Sequence, residues 1–295
     1  MEALPFLLLG TLTSGLVEVF ISRERMLSLI PRNRYLATAM GGAMGFVFPV
    51  CECGVVPLTR RLFTKGFPIT AGIAFLLAAP IINPITLAST YAAYGWSEIL
   101  VGRFVLGLLI PIALGLIFFR NAQTLRTQSV VPISGGADDA LEVPVDLERV
   151  RVEVPPAPSL AARLRRSLRI AADETFSMGK YLVAGCIMAA LMQTFVPQSA
   201  LLELGSGPVL SVIVMQVLAF VLSVCSTVDA FISLAFVNTF TTGSILAFLV
   251  FGPMVDIKST MMFLGVFPRR TVAMLVVLPF VTVALVTILI NLFLA

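Results

Sequence analysis

The sequence predicts an all-α integral membrane protein made of two inverted-topology repeats, with broken helices and re-entrant hairpins meeting at the membrane midplane. Three features point to this. The 295-residue chain is 58% hydrophobic and 12% charged, with a mean hydropathy of +1.01; a soluble domain is about half apolar and a quarter charged. Its apolar residues fall into windows of about 20, enough to cross roughly 30 Å of hydrocarbon as helix. Similar motifs recur in the two halves, while the basic residues beside them change sides. Many glycines inside long apolar runs and little two-residue alternation argue against a β-barrel.

Leu4–Ile21 has no basic leader and no small-residue cleavage site, so it reads as a retained span rather than a signal peptide. Arg23, Arg25, Arg32 and Arg34 follow it. The next segment, Leu36–Leu58, contains Pro49-Val50-Cys51-Glu52-Cys53-Gly54-Val55-Val56-Pro57 and is followed by Arg60, Arg61 and Lys65. Basic loops on both sides place both ends of this segment in the cytoplasm. It is therefore read as a re-entrant hairpin with Cys51-Glu52-Cys53 at its tip. About 15 residues before the tip would reach roughly 22 Å as helix, so a plain eight-span topology is the alternative. Phe67–Tyr94 then crosses outward, broken between Pro80 and Pro84, and Ile99–Phe119 returns.

Arg120 to about Thr175 reads as a cytoplasmic linker. It holds the run Gly135-Gly136-Ala137-Asp138-Asp139, then Pro155-Pro156-Ala157-Pro158, a composition that suits a flexible connection. At its end, Leu160, Leu164 and Leu168 share a helical face among Arg163, Arg165, Arg166 and Arg169. That pattern fits an amphipathic helix on the cytoplasmic leaflet, or an ordinary helix leading into the next span. The expected organisation is a first repeat over 1–119, a linker over 120–175 and a second repeat over 176–295.

The second half repeats the first. Ala74-Phe75-Leu76-Leu77-Ala78-Ala79-Pro80-Ile81-Ile82-Asn83 matches Ala247-Phe248-Leu249-Val250-Phe251-Gly252-Pro253-Met254-Val255-Asp256. Phe48-Pro49-Val50-Cys51 falls opposite Leu222-Ser223-Val224-Cys225, and Leu109-Ile110-Pro111 opposite Val277-Leu278-Pro279. The loops Pro197–Gly207 and Asn238–Gly243 carry no Lys or Arg, whereas Arg269 and Arg270 stand where the first half has the acidic Trp96–Glu98 turn. The charge bias thus inverts, giving six full spans, two opposed hairpins and both termini outside.

Superposing the repeats brings two tips to the midplane, one presenting Cys51, Glu52 and Cys53, the other Cys225, Ser226, Thr227 and Asp229. The broken crossings add Asn83, Asp256 and Lys258. Carboxylates at membrane depth are costly unless they line a cavity or find partners, which makes Glu52 and Asp229 candidates for coupling a proton or ion. Cysteine also packs as a small hydrophobe, and Cys186, alone on a span, is read that way. With no histidine in the chain, a histidine relay is excluded, and C-x-C alone does not make a zinc site. No metal or cofactor is expected. The chain has no G-x-x-x-x-G-K-[ST] loop for nucleotide hydrolysis. These residues point to a non-enzymatic secondary transporter; a channel or an intramembrane thiol redox protein are the alternatives. The implied partners are a small-molecule or ion substrate and the lipid bilayer, with a homodimer compatible and nucleic acid not expected.

The Phe-Pro-Val-Cys-Glu-Cys-Gly-Val-Val-Pro-Leu stretch, the Ala-Ala-Pro-Ile-Ile-Asn-Pro break, the span from Gly179-Lys180-Tyr181-Leu182 to Gln193-Thr194-Phe195-Val196-Pro197, and Cys225-Ser226-Thr227-Val228-Asp229-Ala230-Phe231 resemble the predicted permease family. That family includes ArsP-type organoarsenical efflux permeases and YraQ-like proteins. The resemblance covers nearly the whole chain and implies a multi-pass permease of a bacterial inner membrane. The best-described activity it implies is export of trivalent methylated or aromatic arsenicals. Cys51, Cys53 and Cys225 match the family pattern, and soft thiols suit a thiophilic solute.

Overall fold

A computed structural model describes residues 3–20, 30–31, 33–48, 50–127, 160–195 and 207–294. All regular structure among them is helical. The Pro- and Gly-rich part of the linker, the arginines at 23, 25 and 32, Pro49 and the loop after Val196 lie outside the described residues.

Helix α1 (Ala3–Phe20) is followed by α2 (Arg34–Val47) and α3 (Glu52–Thr64), with Phe48, Val50 and Cys51 non-helical between the last two. Helices α4 (Ile69–Ile82) and α5 (Pro84–Tyr94) are separated only by Asn83. The long α6 (Glu98–Thr127) and α7 (Leu160–Phe195) flank the linker. Next come α8 (Leu210–Leu222), the short α9 (Asp229–Ser233) continuing as a 3-10 turn over Leu234–Phe236, and the pair α10 (Thr242–Met254) and α11 (Ile257–Leu264). Helix α12 (Arg269–Leu294) closes the described chain. Among the described residues, five stretches are long and apolar enough to cross a membrane: Ile69–Tyr94, Glu98–Phe118, Leu164–Met192, Thr242–Leu264 and Arg269–Phe293. The apolar helices Leu7–Phe20 and Leu210–Leu222 are shorter.

The break at Asn83 follows from local chemistry. A residue before proline is pushed out of the helical region, and Asn83 accordingly sits at ψ 144°. Pro84 then starts α5 at a position where its missing N–H costs nothing. That missing N–H leaves the Pro80 carbonyl without its helical donor, and the Thr86 hydroxyl takes its place at 3.2 Å. The Asn83 side chain caps α5 by accepting from the backbone N–H groups of Ile85 and Thr86, at 2.7 and 3.2 Å.

The equivalent break in the second half uses no proline after it. Val255 and Asp256 are both extended, and Asp256 caps α11 in a reciprocal box with Ser259. The sequence reading aligned Asn83 with Asp256 as possible contact residues; each is buried and serves as a helix cap.

Helices α4 and α10, apolar on every side, pack against each other at the centre. Each is flanked by the other helices of its own half: α4 by α2 and α6, α10 by α8 and α12. Across the halves, α3 meets α11 and α5 meets α9. Helix α7 packs on α1 and α11. The amphipathic stretch from Leu160 continues into the span as one 36-residue helix, so the expected boundaries at 119–120 and 175–176 fall inside α6 and α7. Arginines in a leucine-rich run are good helix formers and offer no reason for a stop.

Helix α1 sits unusually close to α3. A Cβ on Gly10 would lie 2.2 Å from the Gly54 Cα, beside the cysteine-bearing turn, and neither backbone can yield. Gly10→Val is therefore expected to destabilise the fold by at least the roughly 1–3 kcal/mol typical of overpacking. Thermal unfolding of the purified variant in detergent measures this, and an unchanged midpoint would disprove the close contact.

Candidate functional site

Cys51 is the N-cap of α3, and Glu52 and Cys53 form its first turn. All three are buried, at 4%, 4% and 1% exposure. The two thiols flank Glu52 at the start of the helix. Glu52 stands where a helix N-terminus favours a negative charge, yet its Oε2 is buried and has no hydrogen-bond partner. It lies within electrostatic reach of Cys51, Asp256 and Lys258. Cys225 is half-buried, and lies within reach of Glu52 and Cys51.

Asp256 and Lys258 come from the N-terminal turn of α11, which packs on α3. The Lys258 Nζ is 3.8 Å from Asp256 Oδ2, which also accepts from the Ser223 hydroxyl. Asp256 Oδ1 accepts from the Ser259 N–H at 2.6 Å, so this carboxylate has partners on both oxygens. Ser223 caps α8 with φ +50°, the one non-glycine residue with positive φ among those described. Its backbone turns the chain at the end of α8, and its hydroxyl ties that turn to α11. Two thiols, a carboxylate with one unpartnered oxygen, a satisfied carboxylate and an ammonium thus gather in one buried cluster, with the third thiol at its edge.

The other expected residues lie in an adjoining cluster. Asp229 takes a bidentate ion pair from Arg103 of α6: Nη1 to Oδ1 at 2.9 Å and Nη2 to Oδ2 at 2.7 Å. Both are buried, Arg103 at 0% and Asp229 at 3%. Arg103 Nη1 also donates to the Thr90 hydroxyl at 3.0 Å, and Nη2 to the Ser226 carbonyl at 3.4 Å. Thr86 donates to the Ser226 hydroxyl at 3.3 Å, Ser89 to the Thr227 carbonyl, and Tyr94 and Ser233 share a hydrogen bond of 2.7 Å. The Thr227 hydroxyl donates to Cys225 Sγ at 3.6 Å.

Arg103 was not singled out from the sequence. It is a lone arginine within the apolar run Ile99–Phe119, and the rule that flagged Glu52 and Asp229 applies to it equally. Cys186, expected to pack within a span, is instead exposed on α7. Outside the two clusters, Glu174 of α7 pairs with Arg61 of α3, and Lys65 lies 3.5 Å from Glu18. These tie α3 to α7 and α1. No group of three or more Cys, Asp or Glu arranged to hold a metal ion occurs among the described residues.

Residues 1–292 match a family described as "Predicted permease" (ArsP type). The UPF0718 protein YcgR of Bacillus subtilis strain 168 is 44% identical over 280 residues, covering 93% of this chain and 88% of that protein. A Streptococcus mutans protein named "Putative two-component membrane permease complex subunit" is 35% identical over 272 residues, covering 91% of this chain and 84% of its own. The UPF0718 protein YraQ of Escherichia coli strain K12 is 25% identical over 126 residues, covering 42% and 36% respectively. No solved structure matches.

Proposed function

The chain belongs to this predicted permease family, and from that premise we propose that it is a secondary transporter of the bacterial inner membrane. It moves a small thiophilic solute through a midplane site made by Cys51, Glu52, Cys53, Asp256 and Lys258, with Cys225 at its edge. Export of a trivalent organoarsenical is the specific case the family resemblance suggests. The observation that carries this reading is the buried first turn of α3. It places two soft donors beside a carboxylate oxygen that nothing in the protein satisfies, and a buried polar atom is rarely left in that state without a ligand, an ion or a functional reason. Thiols bind soft centres such as trivalent arsenic, while Glu52, Asp256 and Lys258 supply charges that a coupling proton or ion would exchange with.

The inverted-repeat, two-hairpin topology belongs to the same proposal. Its support is the helix–break–helix order found in each half, the matched caps at Asn83 and Asp256, and the reciprocal packing of α3 on α11 and α5 on α9. In this topology the basic segment after α1, the basic C-terminal end of α3, the linker and Arg269–Arg270 face the cytoplasm. Single cysteines at Arg61 and Thr241, in a background lacking the native ones, label from opposite sides; labelling from one side overturns the repeat. By its similarity to the Streptococcus mutans protein, this subunit works with a second membrane component.

The function is tested in inverted vesicles with a panel of arsenicals, sulfur oxyanions and metal ions. A trivalent aryl arsenical is expected to be accumulated and to protect Cys51 and Cys225 from alkylation together, with no such protection at Cys186 on α7. Cys51→Ser keeps the size but removes the soft donor, and is expected to weaken arsenical transport at least tenfold. Transport of an oxyanion in preference to every thiophile would shift the substrate to the charged groups.

A further inference from the structure

The contacts between α5 and the segment 226–233, which ends in α9, form a ladder with four polar rungs. On α5, Thr86, Ser89, Thr90 and Tyr94 recur at helical spacing and share one face. Facing them are Ser226, the Thr227 carbonyl, Asp229 and Ser233. Thr90 joins the ladder through Arg103, which reaches Asp229. The seam starts next to Cys225, at the edge of the thiol cluster. Thr86, Thr90 and Ser226 there are fully buried. It ends at half-buried Tyr94, one residue before Gly95 closes the helix. Beyond lies Trp96, 85% exposed.

An apolar seam would resist water along its whole length. Hydroxyl rungs exchange their partners for water at small net cost. The Arg103–Asp229 pair is the exception, since two charges out of water hold each other by a planar, two-point contact. The α9 element is well suited to move. It is short, five helical residues and a 3-10 turn, so few backbone hydrogen bonds hold it together. It also leaves Phe231 and Leu234 exposed at 49% and 41%.

We infer that the Arg103–Asp229 pair and the hydroxyl seam between α5 and α9 are a gate, shut in this structure, between the thiol-and-carboxylate site and the membrane face bearing the Trp96–Glu98 turn. The gate opens when α9 parts from α5 along the seam, letting water and solute reach Cys225 and Cys51. This rests on the transport reading above and adds to it a route and the residues that close it.

The test uses the full chain in vesicles of both orientations, with Cys53, Cys186 and Cys225 replaced by alanine so that Cys51 reports access. Modification of Cys51 by a membrane-impermeant maleimide is followed by mass spectrometry of its peptide. The double variant Arg103→Gln, Asp229→Asn is expected to react at least tenfold faster than the parent when the reagent is on the Trp96 face, and no faster on the opposite face. Adding Thr86→Cys and Ser226→Cys, whose parent hydroxyl oxygens are 3.3 Å apart, allows a disulfide across the seam. Oxidation should abolish the gain, and dithiothreitol should restore it. An unchanged rate in the folded double variant, or a gain that survives the disulfide, overturns the gate. Where the double variant does not fold, Thr86→Cys, Ser226→Cys with native charges decides. Oxidation must then lower the basal rate on the Trp96 face at least tenfold and reversibly, and the absence of that drop overturns the proposal. If an aryl arsenical fails to protect Cys51 while gating behaves as stated, the substrate assignment fails and the gate stands.

Discussion

Replacing Arg103 alone by glutamine is expected to destabilise the protein by about 3–5 kcal/mol, the range for breaking a buried ion pair from one side. The cause is the orphaned Asp229 carboxylate, 3% exposed, which loses both guanidinium contacts while the seam is shut. Asp229→Asn alone leaves the guanidinium of fully buried Arg103 in the same position and should cost a similar amount. Replacing both removes the uncompensated charge, so the double variant should recover most of the loss. A buried pair is worth little against neutral partners of similar volume. Thermal unfolding of the parent, both single variants and the double variant closes the cycle. Additive losses in the double variant would mean that the two side chains do not act as a pair.

Glu52→Gln is expected to behave in the opposite way, with transport falling at least tenfold while stability stays level or rises. The carboxylate gains roughly 0.3–1 kcal/mol from the N-terminus of α3. Burial of an ion costs several kcal/mol unless it is repaid by partners, and Glu52 Oε2 has none. A group kept at a loss to the fold is kept for something else, here the solute or the coupling ion. Efflux and melting are measured on the same preparation. A collapse in melting would place Glu52 in the architecture, and full transport in a stable variant would remove it from the mechanism.

The contrast between these two carboxylates shows what the sequence made legible. The rule that charges at membrane depth need a reason flagged both, and the breaks at Glu52 and Asn83 could be read from Pro49 and Pro84, whereas the break before Asp229 has no proline to announce it. Their different partners could not be read, because partnership is set by packing between segments more than a hundred residues apart. Arg103 is 126 residues from Asp229, and no local pattern joins them. Asn83 and Asp256 were visible as polar residues at breaks, yet their first task is to cap α5 and α11. An Asn or Asp just before a helix is a capping signal in its own right, and that simpler reading applied to both. The continuity of α7 was open in the sequence, since the leucine–arginine pattern suits a surface helix and a span entrance alike.

The separation of Arg103 and Asp229 along the chain bears on how the protein is made. Helix α6 enters the bilayer with an arginine in its second turn, and an unpaired charge within a membrane segment is costly. Its counter-charge is 126 residues further along. At roughly 5–20 residues per second, the guanidinium waits on the order of ten seconds for Asp229 to be synthesised. During that interval the isoleucines and leucines around Arg103 must carry the insertion, or α6 must stay beside the insertion machinery. The first half made alone would never receive its partner, so it should be cleared by membrane proteases, and co-expression of the second half as a separate chain should rescue it.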